Sequence, residues 1–459
     1  MKSPLQPDIH ALIEAREFGS LKAGLCKMET HSLAELLSGL EEEDLAMVFR
    51  LLPQGAAADI FGALELEQQE KLISVLSSEK VAAIVNDMPP DDRTGLLEEL
   101  PGQVAQRLMQ SLRGDQLKIA RSLLAYPEDS IGRLMTPEYV AVKPDWTAEQ
   151  VLAHVRKVAP TKETLYVICV VDDNGKLLDD IPLERVILTE PAQKIGEMMD
   201  GIFVSLNASD DQETAVELFK KYDAVALPVV NNQGILVGIV TFDDVMDVAE
   251  EENTEDFQKM AGMAALEYSY FGTGFLGMLR KRLPWLLMLL FAQMLTTVAL
   301  TSYHGLPLFA LLVIFVPLIN SPAGNTGSQT AGLMIRSLAV REVALADWYR
   351  ILGREVLRGA ALGAALAVIG FGAAYVFAPM AGASLDASQL RHVAVSVAMA
   401  IALAVTLANI IGSMLPFLFK WAGFDPAVTS GPFIASVMDV SGILIYFSIA
   451  TGLLAVSLG

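Results

Sequence analysis

The chain has 459 residues, too many for one hydrophobic core, and its 33 Lys+Arg against 54 Asp+Glu give a net charge of −21. So acidic a chain argues against nucleic-acid binding. Its two cysteines, Cys26 and Cys169, lie far apart, which excludes a disulfide framework or a cysteine metal cluster and fits core thiols in a reducing compartment. The opening "MKSPLQPDIH" has no apolar h-region, so no cleavable signal peptide is expected. The charge is unevenly spread. From Leu276 onward there are 10 Lys+Arg and 6 Asp+Glu, which leaves 23 and 48 before it, so the two parts carry about +4 and about −25 respectively.

Residues 40–125 contain a repeat of 24 residues: "LEEEDLAMVFRLLP" (40–53), "LELEQQEKLISVLS" (64–77), "MPPDDRTGLLEELP" (88–101) and "LRGDQLKIARSLLA" (112–125). Leu52, Leu76, Leu100 and Leu124 share one register, and Ile60, Ile84 and Leu108 share another. Apolar positions at i, i+3 and i+4 predict paired short helices, and the fixed period predicts a small all-α superhelix over residues 1–130. Such an array can equally be a scaffold without chemistry.

Residues 131–250 change character. "YVAVKP", "TLYVICVVDDNGKLLDDI", "FVSL" and "ALPVVNNQGILVGIVTFDDV" read as strands, with "DDNG" and "NNQG" as turns. Helical stretches such as "TAEQVLAHVRKV" and "DQETAVELFKKY" alternate with them, which gives an α/β module. The order of these strings, and "LPVV…G.LVGIVT.DD" above all, resembles a tandem pair of CBS domains. Such pairs often sense adenine nucleotides and gate an attached channel or enzyme. The resemblance implies a ribose-binding aspartate in a "[ST]xxD" turn after the last strand. The second copy has Thr241 and Asp244 there, whereas the first has Pro182 and Arg185. Arginine cannot accept the ribose hydroxyl hydrogens, so ATP binding at the first copy is doubtful.

A dense acidic run follows. Asp243, Asp244, Asp247, Glu250, Glu251, Glu252, Glu255 and Asp256 place eight acids in fourteen residues. On a helix, Asp244, Asp247 and Glu251 share a face, as do Glu252, Glu255 and Asp256. The run can be a solvated helix, or it can collect cations. Hard oxygen ligands without His or Cys suit Mg²⁺, Ca²⁺ or Mn²⁺ rather than zinc or copper. A long acidic connecting helix is expected over 251–275.

Residues 276–459 read as a membrane domain. Five apolar segments, roughly 283–303, 306–336, 356–380, 391–419 and 429–457, are each long enough to span a bilayer, which takes about 20 apolar residues. "LPWLLMLLFAQMLTTVALTSY" has no charge, the second segment is interrupted by "NSPAGNTGSQT", and the third carries Gly359, Gly363, Gly370 and Gly372 for close helix approach. Arg280, Lys281 and Arg282 precede the first span. Arg336, Arg341, Arg350, Arg354 and Arg358 surround the link between spans two and three, and Lys420 lies between spans four and five. Positive-inside placement puts the N-terminal domains and these links in the cytosol and the C-terminus outside. The fifth segment contains one charge, Asp439, in "ASVMDVSG". An aspartate at a helix centre costs roughly 2.5–3.5 kcal/mol on insertion scales, so something must offset it.

The whole order resembles the MgtE magnesium channels/transporters. The motifs that carry the resemblance are "IGRLMTPEYVAV", "AGNTGSQT", "ANIIGSMLPFLF" and "DPAVTSGPFIASVMDVSGILIYFS", and it covers residues 30–457. The resemblance implies a homodimer in the cell membrane with Asp439 as the pore carboxylate. Its neighbours would be the carbonyl of Ala435 and the stretch Asn325-Thr326-Gly327. Mg²⁺ is implied as transported and regulatory ion, with Mn²⁺, Co²⁺ and Ca²⁺ as further cations. The implied regulatory ligands are Asp91, Asp92, Asp211, Asp223, Asp244, Asp247, Glu252, Glu255, Asp256 and Asp425. Pro322 and Ala323 depart from the more glycine-rich family pattern, and Pro322 is expected to stiffen a helix break. An intramembrane aspartyl protease would need a second carboxylate in an apolar core, and an anion channel would need basic residues in its pore. A CBS-linked divalent cation exporter or exchanger is the closest alternative.

Overall fold

The computed structural model describes residues 12–13, 15, 17–25, 28–40, 42–266, 270, 273–381 and 385–458. The opening decapeptide and Cys26 lie outside them. Two compact units divide at Glu252/Asn253.

In the first unit, helices α1 (Phe18–Leu25) and α2 (Thr30–Ser38) lead into seven more. These are α3 (Glu42–Leu51), α4 (Gln54–Gly62), α5 (Leu66–Val75), α6 (Ser78–Asp87), α7 (Pro90–Glu99), α8 (Gly102–Ser111) and α9 (Gly114–Leu123). From α3 onward the helices begin 12 residues apart, so the 24-residue sequence repeat is one pair of helices. Leu52, Leu76, Leu100, Ile60, Ile84 and Leu108 are all buried in a single core. Helices pack on the helix two places along, α2 on α4, α3 on α5, α4 on α6 and α6 on α8, which is how a superhelix advances. Arg93 of α7 is buried and fully engaged. It donates to the carbonyls of Val85 (2.9 Å) and Met88 (2.6 Å) and to Gln116 Oε1 (2.5 Å), tying α6, α7 and α9 together.

Two three-stranded sheets follow, with the same topology. β1 (Val140–Val142) pairs parallel with β2 (Val167–Val171), which pairs antiparallel with β3 (Leu177–Pro182). β4 (Leu206–Asn207), β5 (Ala226–Val230) and β6 (Leu236–Thr241) repeat the arrangement, and both central hairpins carry a bulge, at Val170/Val171 and Val229/Val230. The turns lie at "DDNG" and "NNQG", with Gly175 at φ 79 and Gly234 at φ 76, a region open to glycine. The two copies join reciprocally at these turns: Leu177 donates its N–H to Gly234 O and Leu236 its N–H to Gly175 O, both at 3.0 Å. Helix α10 (Ile131–Leu134) precedes the first copy, and α11 (Ala148–Val158), α12 (Leu183–Ile187) and α13 (Glu213–Tyr222) complete the pair.

The acidic helix α14 runs from Phe242 to Met260, starting directly from the last strand. It is therefore displaced from the 251–275 expected. Its end is set by a left-handed Gly262 (φ 76): Gly262 N–H bonds to Lys259 O and Met263 N–H to Gln258 O, a Schellman termination.

The second unit holds five helices long and apolar enough to cross a membrane. The span helices are Phe275–Ser302, Val316–Ala339, Trp348–Met380, Ala387–Trp421 and Gly431–Leu458, numbered one to five below. Span four is the hub, packing on spans two, three and five. Half of its buried residues are small, among them Ala394, Ala400, Ala404 and Ala408. Gly363 of span three lies so close that an added Cβ would stand 2.5 Å from Ala402 O. Span one buries only Thr296 and turns Phe291, Leu295 and Val298 outward. Span two is a continuous helix through "NSPAGNTGSQT", with Pro322 inside it. The break lies earlier, between Phe309–Val313 and Val316. Membrane helices tolerate an internal proline because neighbours re-satisfy the freed carbonyl.

Candidate cation-binding sites

Asp439 lies in the first third of span five, two turns after its start, and is half-buried. The side chains of Gln293 in span one and Asn320 in span two both hydrogen-bond its carboxyl. Asn320 Nδ2 also donates to the Asp439 backbone carbonyl at 3.1 Å. Neither amide stands out in the sequence, because a single uncharged polar residue in an apolar run acquires meaning only from what it faces. Ala435, one turn before Asp439, lies against Gly324, whose added Cβ would be 3.5 Å from the Ala435 Cα. Ser328 Oγ donates to Gly431 O at 3.0 Å and fastens span two to the start of span five. Of the stretch expected beside Asp439, Asn325 is exposed and Thr326 half-buried. Gly327 is buried, and an added Cβ there would meet Ile434 Cγ2 at 2.7 Å, so its small size serves helix packing.

A second carboxylate lies within the span helices. Glu355 stands one residue before the apolar segment expected for span three, yet the helix begins at Trp348 and buries it to 5 % exposure. Glu355 Oε1 accepts from Arg358 at 2.6 Å and Oε2 from Asn409 Nδ2 at 3.1 Å. Asn409 Oδ1 accepts from Thr330 Oγ1 at 2.9 Å, which also reaches Thr326 O at 3.0 Å. This chain of bonds joins spans two, three and four.

In the first unit, Asp91 and Asp92 open α7, and Asp244 lies in the first turn of α14. Their charges act on one another. Burial, then Asp244, Asp92 and Glu163, hold the Asp91 carboxyl well above the usual carboxylate range. Desolvation, then Asp243, Asp247 and Asp59, push Asp92 up to about 6, although one side of it is open to solvent. Asp244 is pushed up to about 7 by burial, opposed by its hydrogen bond from Thr241 Oγ1, with Asp243, Asp92 and Glu163 adding to the rise. Asp91 Oδ1 is buried and has no hydrogen-bond partner among the described residues. Asp59 of α4 and Glu163 of the loop before β2 were not anticipated, whereas Asp243, in the first turn of α14, belongs to the acidic run read from the sequence. Asp91, Asp92, Asp244 and Asp247 are thus brought together. Among the described residues, however, no three acidic, His or Cys side chains stand in ready metal-ligand geometry.

The other expected ligands are dispersed. Asp211 is exposed and accepts from the Glu213 N–H at 2.9 Å just before α13, and Asp223 ends the same helix at φ 50. Glu252 accepts from Gln212 Nε2 at 3.1 Å, and Asp256 is half-buried on α14. In the second unit, Glu255 and Asp425 do converge, on Lys259: Nζ lies 2.7 Å from Glu255 Oε1 and 2.8 Å from Asp425 Oδ2. Burial opposes the charge on Lys259, but the bonds to Asp425 and Glu255 outweigh it and raise the ammonium above its ordinary range. Asp425 Oδ1 also accepts from Ala427 N–H at 2.8 Å. Arg185, at the doubtful nucleotide turn, is exposed on α12.

Comparison with known proteins bears on these sites. Residues 316–449 match a family model described as a divalent cation transporter (MgtE), residues 28–129 the MgtE intracellular N domain, and residues 131–187 and 195–251 the CBS domain. The magnesium transporter MgtE of Thermus thermophilus is 35% identical over 456 residues, covering 95% of this chain and 98% of that protein. The magnesium transporter MgtE of Bacillus subtilis is 29% identical, covering 91% and 92%. A crystal structure of the cytosolic domain of the Mg²⁺ channel MgtE in complex with ATP is 35% identical, with a TM-score of 0.50, and covers 52% of this chain and 99% of that one.

Proposed function

We propose, from the premise that this chain belongs to the MgtE family of divalent cation transporters, that it is a membrane channel selective for Mg²⁺ and gated by cytosolic Mg²⁺. The observation that carries the reading is Asp439, a carboxylate inside an apolar helix, met by two neutral amides. Mg²⁺ dehydrates reluctantly and keeps several waters, so a pore can hold the hydrated ion through few protein oxygens. In a homodimer, two Asp439 carboxylates would flank the axis, and one divalent ion would neutralise both. The Ala435 carbonyl and the exposed Asn325 are the next oxygens along the path. Mn²⁺, Co²⁺ and Ca²⁺ are competitors at such a hard-oxygen site.

Gating rests on the first unit. Burial and the charges of Asp244 and Asp92 raise the proton affinity of Asp91, burial and Asp247 raise that of Asp92, and burial and Asp92 raise that of Asp244, so the compact arrangement is electrostatically costly until a cation joins it. Mg²⁺ at millimolar levels supplies that cation and favours the state in which the carboxylates lie close. Glu252, Glu255, Asp256, Asp211, Asp223 and Asp425 are the further ligands proposed for this closed state, and Lys259 holds two of them meanwhile. The cytosolic domains face inward and the C-terminus outward. The T. thermophilus and B. subtilis relatives bear the name magnesium transporter, which supports Mg²⁺ as cargo. Asp439→Ala tests the pore assignment: Mg²⁺ flux into liposomes should be nearly abolished in a protein that purifies as wild type. Unchanged flux rules it out. Uptake with and without an imposed gradient separates a channel from an exchanger.

A further inference from the structure

Asn320 makes unequal use of its two amide atoms. Nδ2 donates to the Asp439 backbone carbonyl at 3.1 Å and the side chain bonds the carboxyl. Oδ1 is buried and has no hydrogen-bond partner among the described residues, in a side chain only 9 % exposed. It also occupies a cradle kept open by sequence. An added Cβ on Gly442, one turn beyond Asp439, would stand 2.2 Å from Oδ1. A buried acceptor without a donor is uncommon in native proteins and unfavourable, and each instance calls for a physical cause. The missing partner must be a donor, and it must arrive beside a carboxylate. A hydrated divalent cation brings both: charge for Asp439 and polarised water O–H groups around it.

We propose that Asn320 is the specificity-determining partner of Asp439. With a hydrated divalent cation at the carboxylate, Asn320 Oδ1 accepts a hydrogen bond from a water of its inner shell. Gly442 is the residue that leaves Oδ1 its position. The inference rests on the reading of Asp439 as the ion station. It adds a reason for selectivity. Mg²⁺ holds its waters in near-ideal octahedral geometry at 2.0–2.1 Å, whereas Ca²⁺ carries a larger and more variable shell. One acceptor fixed to the span-five backbone through its own Nδ2 matches the first shell and not the second.

The test uses the full chain in liposomes, measuring Mg²⁺ influx against external Mg²⁺ and its inhibition by Ca²⁺. Asn320→Leu should raise the half-saturating Mg²⁺ concentration roughly tenfold, the loss of one charge-assisted hydrogen bond, and narrow the preference for Mg²⁺ over Ca²⁺. Asn320→Asp keeps an acceptor and should retain apparent affinity. Gly442→Ala should reproduce the Asn320→Leu phenotype with the amide still present. Half-saturation and ion preference unchanged in both Asn320→Leu and Gly442→Ala, with Asp439→Ala inactive, overturn this inference and leave the pore assignment standing. Persistent flux in Asp439→Ala overturns both. Should Asn320→Leu fail to purify, Gly442→Ala decides alone, by the same two readouts.

Discussion

Asp244 offers a way to test whether the carboxylates of the first unit are a cation sensor or a solvated surface. Its carboxyl is pushed from 3.8 up to about 7, chiefly by burial, with the charges of Asp243, Asp92 and Glu163 adding to the rise. A raised folded pKa in an acid means that the folded state binds the proton more tightly than the unfolded chain. The stability tied to that proton is fully present below pH 3.8 and is lost as pH rises towards 7. At 1.36 kcal/mol per pH unit the full loss is at most about 4 kcal/mol, and about half of that once neighbouring carboxyls share the proton. Asp244→Asn removes the loss while leaving an acceptor for Thr241. In Mg²⁺-free buffer at pH 8, the variant's N-terminal region (residues 1–266) should therefore melt about 4–8 °C above wild type, taking about 2–4 °C per kcal/mol for a unit of this size. The difference should close near pH 4. Millimolar Mg²⁺ at pH 8 should raise the wild-type melting temperature and close most of the gap, because the ion does what the proton does at low pH. Scanning fluorimetry across pH, with and without Mg²⁺, reads all three. Equal melting temperatures at pH 8 without Mg²⁺ would refute the reasoning.

Three further outcomes are expected. Neutralising Asp244, Asp247 and Glu252 together should abolish Mg²⁺-dependent protection of the 125–135 and 250–275 connections from protease and leave the channel active at high internal Mg²⁺; closure at the wild-type concentration would reduce the acid run to a solvated surface. Lys259→Met removes the ammonium that occupies Glu255 and Asp425, so the Mg²⁺ concentration for half-maximal protection should fall severalfold, and an unchanged midpoint would separate those two carboxylates from the sensor. At the first nucleotide turn, exposed Arg185 can donate to phosphates but cannot accept from ribose. Titration calorimetry on the full chain should therefore show no tight ATP binding at that turn; micromolar ATP binding that is lost in Arg185→Ala would contradict this. The related cytosolic domain solved with ATP makes the measurement pointed.

Periodic features were legible in the sequence because packing repeats impose periodic burial. Leu52, Leu76 and Leu100 are the buried residues that close every second helix of an array whose helices begin every 12 residues. "DDNG" and "NNQG" announced the two hairpins because each supplies a glycine at positive φ and an Asx side chain: Asp172 and Asn231 each accept two backbone N–H groups within the turn. Asp439 was legible because a lone charge in an apolar run has few explanations. Gln293 and Asn320 were not, since an amide in such a run is cheap until the fold places it on a carboxylate. Glu355 escaped because three arginines at 350, 354 and 358 make the first turns of span three read as a loop. Lys259 escaped because its partner Asp425 is far away in sequence.

The two carboxylates within the span helices separate by how they are satisfied. Glu355 is almost fully buried, and both its oxygens are taken, one by a guanidinium and one by an amide. Removing either partner would leave an uncompensated buried charge, which is why such a pair resists exchange of partners. An arriving Mg²⁺ would have to break the Arg358 bond, with the second oxygen still held by Asn409. Glu355 is therefore a brace for spans two, three and four. Asp439 is only half-buried, and neutral amides meet it. Neutral donors orient a carboxylate without cancelling its charge, so the attraction for a cation survives. A station that fully neutralised itself would bind no ion, and one that enclosed the ion with many charged oxygens would not release it. A carboxylate held by amides lies between these limits, as conduction requires.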